Sequence, residues 1–371
     1  MRITYIANAR IPTEKAHGIQ IIKMCEAFTN LGHRVELVIP KRKNPIQEEI
    51  FSYYGVKNSF VITRLWCIDT VKFGFWGFLL EWLSFAEMAF WYLLFKKNDI
   101  YFGRDYVTLL YLSLFRRKTV WETHTGEWNI LIWLFSKLDN KVVAISQGLK
   151  DFYVKKGVKE EKIVVAHDAV DLEQFTVSIK KDVAREKHGL QSELPLALYA
   201  GKLDGWKGVE TLLLASQLLI GEVKMVIIGG SEEEIVTLKK KYPEVTFLGY
   251  HPYRQLPEIQ QMADVLVIPN TSKNIVSRQF TSPLKVFAAM ASGIPMVVSD
   301  LPSVREILDD SMCYFFSPDN AENLANVIKM VLTDGMNSQV KTEKALLKAE
   351  IYTWEKRAAN ILNFMSKDNS N

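Results

Sequence analysis

Residues 278–308 read RQFTSPLKVFAAMASGIPMVVSDLPSVREIL, and the first part of this stretch predicts a helix. Ser282-Pro283 is a pair that opens helices, because a hydroxyl caps the free amides and proline is tolerated at the first helical position. The apolar positions that follow recur at helical spacing: Leu284, Phe287 and Ala291. The free backbone amides at such a helix start form a natural site for an anion.

The second part of the same stretch predicts where this helix ends and a strand begins. Gly293 is typical of a helix terminus, and Pro295 prevents the helix from restarting. Residues 296–298, MVV, then read as a short buried strand that leads through a turn to the next helix. The pattern predicts one unit of a parallel α/β sheet. An ordinary unit with nothing bound is the alternative to an anion site.

Length and composition exclude several classes of protein. A chain of 371 residues is too long for one ordinary core and suits two domains. Apolar residues make up 48% and charged residues 24%, which is typical of a globular protein. The net charge of +4 argues against a dedicated nucleic-acid binder. It is compatible with an anionic ligand or an anionic membrane surface.

The cysteines and the first residues favour a cytoplasmic protein. Cys25, Cys67 and Cys313 lie far apart and form no CxxC motif, so neither a zinc site nor a disulfide framework is expected. The opening residues MRITYIANA predict a first strand rather than a signal peptide.

The first half of the chain begins like a doubly wound sheet. Residues 2–7 predict a strand, residues 10–18 a loop, residues 19–31 a helix and residues 35–39 a second strand. The loop contains no GxGxxG motif, which disfavours a nicotinamide or flavin site.

Residues 73–95, FGFWGFLLEWLSFAEMAFWYLLF, form an unusually aromatic segment. Its length would suit a membrane span, but Glu81 and Glu87 would be unfavourable at bilayer depth. A mostly buried helix of the first domain is the first interpretation. The second is a helix that lies at a membrane surface or faces an acceptor, with Lys72, Lys96 and Lys97 at its ends.

Residues 281–308 resemble the C-terminal signature of the family-four retaining glycosyltransferases of the GT-B fold, in the branch whose helix begins Ser-Pro-Leu-Lys. The resemblance continues in order over nearly the whole chain and is strongest in residues 196–308. It departs from the family at two positions. Ala288 stands where the family carries a nucleotide-binding Glu, and Phe280 stands at the earlier Glu of the broader pattern.

The resemblance implies an α/β architecture of two Rossmann-like domains that face each other across a cleft. Residues 1–172 would form the acceptor-binding domain, and residues 173–351 would form the nucleotide-sugar-binding domain. Residues 352–371 would return to the first domain as a C-terminal helix.

The resemblance also assigns a site for the donor diphosphate. Lys202 and Lys207, in the segment GKLDGWKG at residues 201–208, correspond to the two basic residues that bind donor phosphates, and Lys207 would neutralise the leaving group. Gly18 corresponds to a glycine whose backbone approaches the diphosphate; the alternative is that it only permits a turn. The remaining backbone contacts would come from the start of the predicted helix: Ser282, Pro283 and Leu284.

Other positions are implied for the base, the ribose and catalysis. The segment Tyr250-His251-Pro252 corresponds to a loop near the base, and Ala288 lies at the ribose position. His124, at the end of a predicted strand, corresponds to a histidine that contacts the donor sugar and phosphate. A backbone-bonded histidine without a ligand is the alternative for His124. Arg104 ends the preceding predicted strand and corresponds to a cleft-facing residue.

The implied activity is retaining transfer of a sugar from a nucleotide diphosphate-sugar to a glycan or lipid-linked acceptor, in polysaccharide and cell-envelope biosynthesis. No Asp-x-Asp metal pair is evident, and lysines and helix amides can stabilise a departing diphosphate, so no metal is expected. No cofactor is expected either, because the nucleotide-sugar is a co-substrate. Peripheral contact of residues 73–95 with the inner membrane surface is a further expectation. Two alternatives remain: a non-catalytic or impaired nucleotide-sugar binder or partner subunit, motivated by Ala288 and Phe280, and a sugar-nucleotide epimerase of similar fold.

Overall fold

The computed structural model describes residues 1–176, 179–190 and 193–366. These residues form two compact units. Unit 1 comprises Met1–His167 together with the C-terminal residues from Trp354, and unit 2 comprises Asp168–Thr353.

The described residues of unit 1 form a seven-stranded parallel sheet in the order β3-β2-β1-β4-β5-β6-β7. The strands are β1 Arg2–Ile6, β2 Arg34–Pro40, β3 Val61–Leu65, β4 Ile100–Gly103, β5 Thr119–Thr123, β6 Lys141–Ala144 and β7 Ile163–Val165. The helices that connect them are α1 Ala16–Asn30, α2 Ile50–Tyr54, α3 Gly74–Leu94, α4 Tyr106–Leu114, α5 Ile130–Lys137 and α6 Gln147–Lys155.

The sheet of unit 1 is covered on both faces, because its central strands are apolar at successive positions. In β1, for example, Ile3, Tyr5 and Ile6 are all buried although neighbouring side chains point to opposite faces. Strand order reverses between β1 and β4, so the loops that leave these two strands diverge. In open α/β sheets such a point, at the carboxyl ends of the strands, is where ligands bind.

Unit 2 repeats this architecture with a six-stranded parallel sheet in the order β10-β9-β8-β11-β12-β13. The strands are β8 Leu196–Ala200, β9 Lys224–Ile228, β10 Thr246–Gly249, β11 Val265–Ile268, β12 Met296–Ser299 and β13 Tyr314–Phe316. The helices are α7 Leu172–Phe175, α8 Lys181–Lys187, α9 Val209–Leu218, α10 Glu232–Lys241, α11 Leu256–Gln260, α12 Leu284–Ala291, α13 Pro302–Arg305, α14 Ala321–Thr333 and α15 Gly335–Ala349. Here the strand order reverses between β8 and β11.

The division between the units lies after His167, whereas the sequence analysis placed it after residue 172. The difference has a physical reason in the packing of the intervening segment. Val170 and Phe175 belong to the core of unit 2, and the backbone N–H of Asp168 donates to Ser282 Oγ at 2.8 Å.

The last described helix, α16 Trp354–Ser366, belongs to unit 1, which confirms the predicted return of the chain. It packs on α1, and Trp354, Ala358 and Ile361 are buried. Arg357 anchors it further, because its Nε donates to the carbonyl of His167 at 2.8 Å.

Two helix starts differ from the sequence prediction. Helix α1 begins at Ala16 rather than at residue 19, so Gly18 lies inside a helix and not in a turn. A Cβ on Gly18 would lie 2.2 Å from the hydroxyl of Tyr54, and that hydroxyl also holds the preceding loop by accepting from the N–H of Thr13 at 2.8 Å. Glycine is therefore required by close packing at this position.

The second difference concerns Ser282, which was expected to cap the helix after it. Helix α12 begins at Leu284, Pro283 occupies the cap position and no side chain caps the helix. The hydroxyl of Ser282 is instead used by the backbone of Asp168. The predicted end of the helix is confirmed, since Gly293 adopts a left-handed φ of 70° just beyond it.

Helix α3 is buried along one face only. Phe85, Ala86 and Leu93 pack into unit 1, while Trp76 and Trp91 are exposed. Glu81 is fully buried and accepts a hydrogen bond from Asn8 Nδ2 at 3.1 Å. Residues Val71–Leu94 are long and apolar enough to cross a membrane, and about two fifths of the most apolar part of this segment is buried in the protein. One such segment is weak support for a span, because core helices of soluble proteins share this composition.

Candidate functional site

The loop after β8 in unit 2 carries both lysines predicted to bind the diphosphate. The hydroxyl of Tyr199, at the end of β8, donates to the carbonyl of Lys202 at 2.6 Å and fixes the loop. A single 3-10 turn, Gly205–Lys207, then leads into α9 through Gly208. Gly208 has a φ of 74°, and a Cβ there would lie 1.6 Å from the carbonyl oxygen of Pro269, so no other residue fits.

Lys207 has an electrostatic environment that suits an anion. Its ammonium lies 3.4 Å from the centroid of the Trp206 ring, in a cation–π contact. Burial lowers the pKa of Lys207 to about 8; Lys202 acts in the same direction and Asp204 in the opposite one. Lys202 is exposed on the same loop. A phosphate at this loop would restore the full charge of Lys207 and gain charge-assisted hydrogen bonds.

A third lysine, which the sequence analysis did not assign, lies against the same loop. Lys285 in the first turn of α12 places its Nζ 3.3 Å from the hydroxyl of Tyr199 and 4.4 Å from the centroid of that ring. The motif Ser-Pro-Leu-Lys contained this residue, and its position immediately after the predicted helix start was the available signal.

The residues predicted near the base and ribose fall in two different environments. Tyr250 is 49% exposed, and His251 Nδ1 lies 2.9 Å from Gln255 Oε1. With Pro252 they follow β10, which is separated from β8 by β9, so this loop lies at the outer side of the same sheet end. Ala288, in contrast, is fully buried in the core of unit 2, and Phe280 is 7% exposed. The methyl of Ala288 therefore presents no surface to a ligand here.

Unit 1 places His124 just beyond the carboxyl end of β5, in a buried network of charged and polar groups. His124 Nε2 lies 2.6 Å from Glu122 Oε1, and Gln20 Nε2 donates to the same oxygen. The other carboxylate oxygen, Glu122 Oε2, accepts from Arg357 Nη1 at 3.0 Å. Sequence analysis identified His124 but not Arg357, because 235 residues separate Arg357 from Glu122.

The charges of this network determine the protonation of His124. Burial opposes ionisation of Glu122, but Arg357 and the hydrogen bond from His124 outweigh it and hold the pKa of Glu122 well below its usual range. Burial, together with Arg104, lowers the pKa of His124 to about 4, although Glu122 acts in the opposite direction. Near neutral pH a neutral His124 thus donates its Nε2 proton to Glu122. Its Nδ1 is then left as a hydrogen-bond acceptor.

Arg104 follows β4, the strand next to β5, and adds positive potential near His124. Its Nη1 is buried and has no hydrogen-bond partner in the described part of the chain. Such a group is unfavourable in the folded protein unless a ligand pairs with it, and Arg104 stays a predicted site residue.

Gly18 lies in the first turn of α1, in the loop-to-helix segment that follows β1 at the switch point of the unit 1 sheet. Among the described residues, no group of three or more His, Cys, Asp or Glu side chains is arranged to bind a metal ion.

Comparisons with known proteins divide the chain in the same way. Residues 18–174 match the family model described as Glycosyltransferase Family 4, and residues 180–348 match the model described as Glycosyl transferases group 1. The structure of Anabaena HepE in complex with UDP-glucose is similar at a TM-score of 0.77 and 15% identity, covering 99% of this chain and 100% of that chain. This likeness shows a GT-B fold.

Curated relatives are similar over part of their length. An uncharacterized glycosyltransferase of Methanocaldococcus jannaschii is 25% identical over 238 residues, which are 60% of this chain and 59% of that protein. A D-inositol 3-phosphate glycosyltransferase of Xylanimonas cellulosilytica is 26% identical over 242 residues, which are 61% of this chain and 56% of that protein. The matched region thus spans less than two thirds of either relative.

Proposed function

We propose a function from the family to which the chain belongs, the glycosyltransferases of GT-B fold, with a family 4 first half and a group 1 second half. The proposed reaction transfers a sugar from a nucleotide diphosphate-sugar to a glycan or lipid-linked acceptor. The anomeric configuration of the sugar is retained. The similarity to a structure that holds UDP-glucose supports a nucleotide-sugar donor. The relatives that are named for glycosyl transfer support the reaction class.

The observation that carries this proposal is the basic loop at the carboxyl end of β8. Lys207 is half-buried, has a lowered pKa and lies against Trp206, and Lys202 is on the same loop. Ion pairs with a diphosphate would compensate these desolvated charges. In the transferase, the same charges would stabilise the departing nucleoside diphosphate, which is the role that a metal ion has in other transferases.

The proposed reaction is a front-face displacement. The bond between the sugar C1 and the diphosphate oxygen breaks, and a bond forms between C1 and the acceptor oxygen on the same face. The acceptor proton passes to an oxygen of the leaving phosphate. Lys207 stabilises the charge that develops on that phosphate, and the Nδ1 of His124 accepts a hydrogen bond from a sugar hydroxyl.

The acceptor side of the proposal includes peripheral contact with an anionic membrane, on the cytoplasmic face. Phe75, Trp76 and Trp91 of α3 are 70%, 76% and 51% exposed, and exposed aromatic side chains are a feature of helices that lie at a membrane surface. Lys72 and Lys97 are exposed at the ends of this segment. Lys96, expected to join them, forms an ion pair with Glu36 at 2.8 Å and contributes less.

A two-step assay tests the proposed function. Thermal-shift screening against UDP, GDP, ADP and their sugars identifies the donor, because a ligand that binds the folded state raises Tm. Release of nucleoside diphosphate from that donor, with and without glycan or lipid-linked acceptors, then measures transfer. Binding without acceptor-dependent release would support a non-catalytic binder. Sugar isomerisation without an acceptor would support an epimerase instead.

A further inference from the structure

Lys285 is a charged side chain that is largely removed from water and contacts an aromatic ring. It lies in the first turn of α12 and is only partly exposed. Its ammonium contacts Tyr199, whose hydroxyl lies 3.3 Å away and whose ring centroid lies 4.4 Å away. Within the described ranges, neither Lys285 nor Lys207 forms a salt bridge, and Asp204 is the acidic residue that acts on the charge of Lys207.

Lys285 and Lys207 also act on each other unfavourably. Burial, followed by repulsion from Lys207, lowers the pKa of Lys285 well below its usual range. Two desolvated cations at one end of a sheet oppose folding, because burial disfavours both charges and the attraction of Asp204 for Lys207 does not offset it. An apolar side chain would pack there at lower free energy, so the arrangement points to an anionic ligand rather than to stability.

The ammonium group of Lys285 fits against the loop after β8 because residue 201 is a glycine. A Cβ on Gly201 would lie 3.3 Å from Lys285 Nζ and 3.0 Å from the hydroxyl of Tyr199, closer than most real contacts. Gly201 begins the segment that carries Lys202, so the ammonium of Lys285 lies directly beside the backbone of the basic loop. Aromatic rings hold both buried lysines, Trp206 for Lys207 and Tyr199 for Lys285.

A second observation at the same sheet end is independent of the lysines. Asn270, which follows β11, is fully buried, and both polar atoms of its side chain are without a partner among the described residues. The residue before it, Pro269, is the one that Gly208 approaches closely, and the N–H of Thr271 bonds to the carbonyl of Trp206 at 3.4 Å. An unpaired amide therefore flanks the turn that carries Lys207, on the strand next to β8.

We propose that Lys285 is a third cation of the diphosphate site and binds the same anionic group as Lys202 and Lys207. This inference rests on the proposed function, because the diphosphate is that of the nucleotide-sugar. Lys285 reaches the anion from α12, whereas the other two lysines reach it from the loop after β8. The site thus contacts the diphosphate from two separate elements of unit 2.

Calorimetry with inorganic pyrophosphate and with UDP, GDP and ADP tests this assignment. Lys285→Met should weaken binding of pyrophosphate and of the nucleoside diphosphate that binds wild type about ten- to a hundredfold, because it removes a charge-assisted contact. Binding of the corresponding nucleoside, which has no phosphate, should not change. The ligand-free Tm of the variant should be unchanged or higher, since a desolvated charge is gone. Lys239→Met on α10, where Lys239 is exposed, is the matched control and should bind like wild type.

A further readout separates direct contact from a packing effect. Binding should take up protons between pH 7.5 and 8.5, measured from the dependence of the binding enthalpy on buffer ionisation. The groups facing this process are Tyr199, Lys202, Asp204, Lys207 and Lys285. Lys285→Met should reduce the uptake. Lys285→Arg, which stays charged at this pH, should keep most of the affinity with a smaller uptake than wild type, because Lys207 still titrates.

Two results have different meanings. If wild type binds pyrophosphate and a nucleoside diphosphate and Lys285→Met binds both equally well, the assignment of Lys285 is wrong and the proposed function stands. If wild type binds pyrophosphate in a Lys285-dependent way but no nucleoside diphosphate, the anion site stands and the proposed donor is wrong. Loss of nucleoside binding in Lys285→Met would also overturn the assignment, because it would show a general collapse of the pocket.

Discussion

At the scale of single residues, the groups around His124 hold its imidazole neutral and leave Nδ1 as a hydrogen-bond acceptor. Glu122 fixes the Nε2 proton, and Arg357 keeps the carboxylate ionised. The ion pair of Glu122 and Arg357 does not depend on the imidazole, because Glu122 would still accept hydrogen bonds from Arg357 and Gln20 if the ring were removed. His124 should therefore matter more for turnover than for stability.

His124→Ala should lower kcat about ten- to a hundredfold with little change of Tm, because the proposed contact to the sugar would be lost while the buried ion pair stays. Initial rates with the identified donor and thermal unfolding of both proteins provide the measurement. His124→Asn, which keeps an acceptor in the same region, is the matched variant and should recover part of the rate. A wild-type rate at equal Tm would return His124 to a structural role.

Lys207 gives a pH dependence of stability whose sign follows from its lowered pKa. The pKa is about 8 in the folded protein and 10.5 ordinarily, so between these values the unfolded chain binds more protons. Stability then rises with pH across this window, because the desolvated charge is present below pH 8 and is lost above it. The groups nearest to this titration are Lys202, Asp204 and Lys285.

Urea unfolding at pH 7.5, 8.5 and 9.5 measures this contribution in the absence of ligand. The free energy of unfolding of wild type minus that of Lys207→Met should increase as pH rises from 7.5 to 9.5. Wild type loses its desolvated charge over this range, whereas the variant has no charge at this position to lose. Subtracting the variant removes the titration of the exposed lysines. A difference that is flat with pH would contradict the buried, unpaired state of Lys207.

The sequence predicted motif residues better than it predicted their surroundings. The glycine turn with Lys202 and Lys207, and the strand end with His124, are local patterns of residues close in the chain. Arg357 could not be placed at Glu122 because the contact depends on the tertiary fold. Lys285 reads as one more helical lysine until Tyr199, from another element, is placed against it.

The sequence also could not predict side-chain hydrogen-bond partners where two elements compete for one polar group. Ser282 matches a helix cap, but Asp168 from the preceding segment takes the hydroxyl. Ala288 stays a prediction for the ribose position, and the burial of its methyl in the core of unit 2 is a contact that the motif does not show. The strands and helices of both sheets followed from hydrophobic periodicity and from the resemblance, and the returning C-terminal helix followed from the resemblance. Periodicity is a reliable signal because many residues of one element contribute to it together.

At the scale of elements, α3 combines a packed face with an exposed aromatic face. Glu81, which argued against a membrane span, lies on the packed face against Asn8. Phe75, Trp76 and Trp91 are instead exposed to solvent. The indole N–H of Trp91 donates a hydrogen bond to Glu87 on the same helix. This helix would lie on a bilayer rather than cross it.

The double variant Phe75→Ser/Trp76→Ser should bind less to vesicles that contain anionic lipid, because apolar area that would enter the interface is lost. Flotation at low salt with neutral and anionic vesicles measures the effect. Leu347→Ser changes an exposed apolar side chain on α15 of unit 2 and serves as the control. Wild-type protein that fails to float with anionic vesicles would rule out this surface as a membrane contact.

At the scale of the whole molecule, one ion pair joins the two ends of a long excursion of the chain. Arg357 on α16 is 5% exposed and Glu122 is 1% exposed, so the pair is desolvated. Breaking such a pair from one side leaves an uncompensated buried charge, whereas removing both charges is much less destabilising.

Arg357→Met should therefore lower the free energy of unfolding by about 3–5 kcal/mol. Arg357→Met combined with Glu122→Gln should be clearly more stable than the single variant, because no charge is left unpaired. Chemical denaturation of the four proteins of this cycle gives the coupling between the two residues. Additive effects would show that Arg357 acts through its packing and not through Glu122.

The same ion pair affects the order in which the chain is completed on the ribosome. Residues Asp168–Thr353 form a unit that is continuous in sequence, so they can close their core as they emerge. Unit 1 is made first, but Glu122 lacks its counter-charge until Arg357 is synthesised 235 residues later. The half of the protein that is translated first is thus the half that finishes folding last.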